Sequence, residues 1–161
     1  VIEEKKKIED DSMVMKPKPK KETAIWFWLH ECDYWVPYEK HICDLIERGF
    51  QTKQPTRISV NAPHTIHYYI NFDNMVQINA KTKFHRFIQR GVVPKKTVWQ
   101  WNEYENWVDY KRDECVILEA AFLLKLEKVR MFMNNKWYII NLRSMRQIAE
   151  TTHYSRFIRR K

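Results

Sequence analysis

Glycine is almost missing: the chain has two in 161 residues. Phosphate-binding loops of the P-loop or dinucleotide type need several, so both are excluded. Long hydrophobic runs are missing as well. The apolar stretches are short and broken by charge, so none reads as a membrane span, and no signal-peptide pattern opens the chain. Cysteine is scarce and odd in number: Cys32, Cys43 and Cys115 are widely spaced without a CxxC. That argues against a disulfide framework and against a structural zinc site. Free thiols point to a reducing compartment, cytoplasmic or nuclear, with no metal. A chain that starts at Val1 and stops at Arg159-Arg160-Lys161 is expected to be a piece of a longer protein.

What is present supports a packed core: 44% of residues are hydrophobic and 14% aromatic. The formal charge is +9 and unevenly spread. Residues 1–22, with Lys16-Pro17-Lys18-Pro19-Lys20, carry seven lysines against six acids and read as a solvated linker. Residues 23–94 carry eight basic and six acidic side chains, and residues 95–161 carry fourteen and eight. If the partner is an anion, the second half is where it is expected.

The chain repeats itself, and the repeat defines the architecture. Trp26-Phe27-Trp28 recurs as Trp99-Gln100-Trp101, and Trp35-Val36-Pro37-Tyr38 as Trp107-Val108-Asp109-Tyr110. Cys43, Ile46, Glu47 and Phe50 recur as Cys115, Leu118, Glu119 and Phe122. Tyr68, Met75, Gln77, Arg86 and Arg90 recur as Tyr138, Met145, Gln147, Arg156 and Arg160. This spacing predicts two copies of one small domain, 23–94 and 95–161. Ile42, Leu45, Ile46, Gly49 and Phe50 fall at helical spacing, with Glu114–Leu124 as the counterpart. Elsewhere the period is two, as at Tyr68, Ile70 and Phe72, so each copy is an α+β unit of several antiparallel strands and one helix. Trp26, Trp35, Trp99 and Trp107 are expected in the core, where large aromatics stabilise small sheets. Glu47 and Glu119 are expected to bond neighbouring backbone, while Arg90 and Arg160 read equally well as solvated strand ends.

These residues make each copy resemble a WWE domain, named for two tryptophans and a glutamate. The motif residues are Trp26, Trp35 and Glu47, then Trp99, Trp107 and Glu119, followed by Met-x-Gln and a closing Arg-Phe-Ile-x-Arg. The resemblance implies a curved antiparallel half-barrel with one helix in its concave face. It also implies binding of poly(ADP-ribose), through the iso-ADP-ribose unit or a terminal ADP-ribose, or of ADP-ribosylated proteins. Tandem copies resemble those of CCCH-zinc-finger members of the ADP-ribosyltransferase family, including the zinc-finger antiviral protein. Deltex-type ligases are the second choice.

Carried over residue by residue, the resemblance implies an adenine slot in the second copy between Trp101 and Tyr138, with Tyr110 beside them. Gln147 would hydrogen-bond there and Arg156 would reach phosphate. The second-rank set is Trp28, Tyr38, Tyr68, Gln77 and Arg86, joined by Lys96. Val36 and Val108 stand where some members carry a further aromatic, leaving fewer rings for the sugars. Stacking is worth about 1–3 kcal/mol per base and a charged hydrogen bond about 1.5–3 kcal/mol, so millimolar to micromolar binding is expected. Charge favours the second copy, with Arg143, Arg146, Arg156, Arg159 and Arg160 near its end. One carboxylate per copy offers no acid–base pair, and the histidines do not repeat, since His85 matches Ser155 and His153 matches Lys83. The expectation is a non-enzymatic module without cofactor. A protein-interaction scaffold in a ubiquitin-ligase or ADP-ribosyltransferase system, or an RNA-binding module, are the alternatives.

Overall fold

The computed structural model describes residues 22–61, 64–94 and 96–161. The linker expected over 1–22 lies outside the described residues, Glu22 excepted. The first copy comprises β1 (Thr23–Leu29), β2 (Trp35–Pro37), α1 (Lys40–Thr52), β3 (Thr56–Asn61), β4 (Thr65–Asn71), β5 (Val76–Asn79) and β6 (His85–Val93). The second repeats that order with β7 (Trp99–Glu103), β8 (Asn106–Asp109), α2 (Arg112–Leu123), β9 (Lys128–Met133), β10 (Lys136–Asn141), β11 (Arg146–Ala149) and β12 (Ser155–Arg160). Each copy is an α+β unit in which a curved antiparallel sheet carries one helix. Strands run β3-β4-β5-β6-β1-β2 in the first and β9-β10-β11-β12-β7-β8 in the second. The two are joined at a single parallel bridge, Trp35 to Val129. Among the described residues no helix is long and apolar enough to cross a membrane.

Strand alternation gives each sheet an inner face toward its own helix and an outer face. In β1, Trp26 and Trp28 point inward while Ile25 and Phe27 point outward; the register pairs them with Arg90, Ile88, Gly91 and Gln89. Helix α1 buries Ile42, Cys43, Ile46 and Gly49 on one side and leaves Asp44, Arg48 and Thr52 on the other. This one-sided pattern is what a helix covering one sheet requires.

Helix α2 differs. It buries Cys115, Leu118, Glu119, Ala120 and Ala121. Its apolar cluster contains not only Trp99, Val129, Ile140 and Ile158 of its own sheet but also Phe27 and Val93 from the outer face of the first. It is therefore wedged between the two copies. The close approach occurs at Gly91, where a Cβ would lie 2.9 Å from Ala120 Cβ and 3.2 Å from Leu124 Cδ1.

Trp26 and Trp99 are wholly buried, as expected. Trp35 and Trp107 are only half-buried, contrary to expectation. The reason is strand parity: Trp35 pairs with Leu29 and Trp107 with Asn102, so both sit on outer faces. Trp35 lies at the seam between copies, and Trp107 is covered by Arg159, 4.1 Å above its ring. Cys43 and Cys115 are buried in the first helical turns, where each sulfur accepts the backbone N–H of Trp26 or Trp99.

Overpacking the seam tests the wedge. Gly91→Leu is expected to destabilise the chain by about 1–3 kcal/mol. In calorimetric unfolding it should broaden or split a single transition, because it pushes α2 off the first sheet and leaves the first copy's inner cluster in place.

Candidate functional site

Three elements meet at one carboxylate in each copy. The Trp26 indole donates to Glu47 Oε2 at 3.0 Å, and Arg90 donates two bonds to the same carboxylate at 2.8 and 2.6 Å. The second copy repeats the arrangement: Trp99 to Glu119 at 3.1 Å and Arg160 to Glu119 at 2.9 and 2.7 Å. Both glutamates thus bond side chains rather than the neighbouring backbone that was expected, and Arg90 and Arg160 are not free strand ends. The Arg90 guanidinium, with help from Gln51 and Trp26, holds the Glu47 carboxyl down at about 2. Arg160 and Trp99 lower that of Glu119. These groups hold the fold together.

The tyrosine and glutamine of each copy form a second link. Tyr110 donates its hydroxyl to Gln147 Oε1 at 2.6 Å, and Tyr38 donates to Gln77 Oε1 at 2.6 Å. Burial pushes the pKa of both phenols up, so they stay protonated and remain donors. With its oxygen engaged, each amide is oriented and keeps two N–H donors. The Met-x-Gln step sets this up. Met75 and Met145 turn at φ of 50° and 52°, and their carbonyls accept from Ile88 and Ile158 at 2.9 and 3.0 Å. The next strand then starts with its glutamine pointing inward.

In the second copy a cavity of about 100 Å³ is lined by Tyr138, Gln147 and Arg156, with Lys136, Thr152 and Tyr154. Three of the five first-rank residues therefore share one hollow. Arg156 Cζ lies 4.5 Å from the Trp101 ring centroid and 5.3 Å from that of Tyr154. Trp101 supports the arginine, and Tyr110, only 6% exposed, stands behind the glutamine. Neither residue is among those lining the hollow. Tyr154 was missed, although a signal existed: an aromatic stands two residues before the arginine in both copies, as Phe84 and Tyr154. Lys136 has no such signal, since its counterpart is Ile66.

The first copy holds its arginine more tightly. Arg86 Nη2 donates to Glu31 at 2.9 Å, and Arg86 lies over Trp28 at 5.0 Å and Phe84 at 5.5 Å. The bond lowers the Glu31 carboxyl. The equivalent pair, Arg156 and Glu103, is looser at 3.6 Å. Tyr68 is half-buried beside this set. Lys96 is not with it. It lines a separate hollow of about 640 Å³ between the copies, with Pro94, Asp109 and Arg112.

A model of the WWE domain matches residues 24–90 and again 97–160. The chain belongs to the WWE domain family. Among curated proteins, this WWE pair is 26% identical over 148 residues to E3 ubiquitin-protein ligase DTX1 of Xenopus laevis, covering 86% of this chain and 24% of that protein. It is 24% identical over 149 residues to E3 ubiquitin-protein ligase DTX4 of Mus musculus, with the same coverage. The chain thus spans about a quarter of the length of these relatives. Both are ubiquitin ligases, which lends no support to the expected CCCH-zinc-finger parentage.

The arginines credited to the second WWE copy are less available than their number suggests. Arg160 is tied to Glu119, Arg159 donates to Gln100 at 2.7 Å, and Arg146 donates to Ser155 at 3.0 Å. Arg156 remains the one that lines the cavity.

The carboxylate links predict an acid response. Glu47 is held at about 2 against an ordinary 4.5, so the unfolded chain takes up protons first as pH falls. Stability should be full above about pH 5 and decline from there toward pH 2. Glu119→Gln, at a carboxylate 4% exposed, is expected to cost about 2 kcal/mol at pH 7 and to flatten the decline. Melting temperatures from pH 7 to pH 3 check both outcomes.

Proposed function

We propose that the chain is a non-enzymatic reader of poly(ADP-ribose) that engages an adenine-bearing unit mainly through the second WWE domain. The units we assign are 23–94 and 95–161. The observation that carries the reading is the single hollow shared by Tyr138, Gln147 and Arg156. It brings together a ring for stacking, an oriented amide for a base edge and a planar cation for phosphate. Its size supports a specific mode. At about 100 Å³ it is smaller than the roughly 300–1,000 Å³ that encloses a whole ligand. One ring enters, and the riboses and phosphates stay outside along Arg156 and Lys136. Such a seat accepts an internal unit of a polymer as readily as its end.

The preference for the second copy rests on the arginines. Arg156 gives up a 3.6 Å contact to meet a phosphate, whereas Arg86 gives up a 2.9 Å bond to Glu31. Glu31 is exposed, so solvent screens that pair and the first site is weakened rather than removed.

A second reading, a protein-interaction scaffold within a ubiquitin ligase, is supported by the named relatives. It also draws on an apolar groove of about 550 Å³ at the seam, lined by Trp35, Met75, Phe87 and Leu124. A protein pulled down equally by wild type and Tyr138→Ala, with no nucleotide bound, favours it.

Calorimetry with iso-ADP-ribose tests the first reading. Wild type is expected to bind between millimolar and micromolar, and Gln147→Ala to lose at least about tenfold, equivalent to 1.4 kcal/mol. Gln77→Ala should retain most of the heat. The reverse pattern assigns the site to the first domain, and no heat from wild type overturns the reading.

A further inference from the structure

Among the described residues no helix covers the outer face of the second sheet as α2 covers that of the first, and the residues on that face explain why. Where the first sheet presents Phe27, Gln89 and Gly91 to α2, the second has Gln100, Arg159 and Lys161. No helix can approach Lys161 as α2 approaches Gly91. The face is built instead of arginines laid over rings. Arg130 Cζ is 3.9 Å from the Trp137 centroid, Arg146 is 4.0 Å from Phe157, and Arg159 is 4.1 Å from Trp107. Register puts all of them on one side: Phe132 opposes Trp137, Arg146 opposes Phe157, and Arg159 opposes Gln100. The array spans six strands from β9 to β8, roughly 24 Å at ordinary strand spacing.

Charge on this face is not fully compensated. Glu150 neutralises Arg130 through bonds of 2.6 and 2.9 Å. Among the described residues, Arg146 and Arg159 donate to neutral oxygens, on Ser155 and Gln100, and Gln100 in turn donates to the Asp109 carboxylate at 2.6 Å. Phe157 is 52% exposed beside them. A guanidinium held over a ring can still stack on a base and donate to a phosphate. An open sheet surface of this kind suits an extended anionic strand that carries bases.

We propose that this outer face is a second contact for the polymer, holding poly(ADP-ribose) units beyond the one seated in the cavity. The inference rests on the reading above. Two features connect the sites. The cavity takes one ring, so neighbouring units must lie elsewhere. Its rim includes Thr151, Thr152 and Tyr154, in the turn between β11 and β12. The same two strands carry Arg146 and Phe157 outward, so a chain leaving past Tyr154 meets them.

The test compares wild type with Arg146→Gln/Arg159→Gln, titrated with iso-ADP-ribose and with poly(ADP-ribose) of defined length over a salt series. The double variant should keep its affinity for iso-ADP-ribose, which also reports that it is folded. Its affinity for the polymer should fall about tenfold, with a salt slope shallower by about 1.4 for two lost phosphate contacts. If the double variant loses its thermal transition, Phe157→Leu is measured instead, with weaker polymer binding expected. Unchanged polymer affinity and slope overturn the proposal. So does equal displacement of the polymer by an oligoadenylate, which marks a general single-strand surface, or capture of an acidic protein that the polymer does not displace. If wild type ignores iso-ADP-ribose while the variant still weakens polymer binding, the cavity reading fails and the outer-face contact stands.

Discussion

One carboxylate on the helix, shared between a buried indole N–H and a strand guanidinium, is the link on which each domain depends. It ties the first strand, the helix and the last strand of the repeat, elements from the beginning, middle and end of about seventy residues. Glu119 is 4% exposed. Its charge can remain there only because Arg160 and Trp99 supply three hydrogen bonds between them. Pulling the helix against the sheet in this way fixes the strand parity that aims Tyr138, Gln147 and Arg156 to the inner face.

The two copies share that link and diverge elsewhere, and the divergence shapes the tandem. Helix α1 faces one sheet; helix α2, with Ala120 and Ala121 where α1 has Arg48 and Gly49, packs against two. The second copy therefore supplies part of the covering of the first, and the pair is joined by a common apolar cluster. The second sheet's outer face bears Arg159 and Lys161 in place of Gln89 and Gly91. Its inner face offers an oriented amide and a lightly held arginine, while its outer face offers cations on rings.

Much of this is legible in the sequence. The repeat offsets reveal two domains, and the periods of 3.6 and two reveal a helix among strands. The matching Tyr, Gln and Arg positions mark the residues that line the hollow. What is not legible follows from geometry that spacing does not encode. Strand β2 has three residues, too few for alternation to show that Trp35 points outward. Tyr110 looks like a slot residue until its 2.6 Å bond reveals that it positions Gln147. Lys96 follows the last strand in sequence but lies against α2 in space. The arginines near the end add charge on paper, while Glu119 and Gln100 engage two of them. Long-range side-chain partners decide each of these cases.

The central claim is that an open seat in the second domain, set by Tyr110 behind Gln147 and by a loosely held Arg156, takes the base of an ADP-ribose unit. Amide and side-chain NMR shifts during an iso-ADP-ribose titration test it most directly. The account predicts shifts at the Gln147 side-chain amide, Tyr138, Tyr154 and Arg156, saturating before any change at Gln77 or Arg86. Shifts confined to Gln77 and Arg86, or scattered over the surface without a cluster at Gln147, contradict it.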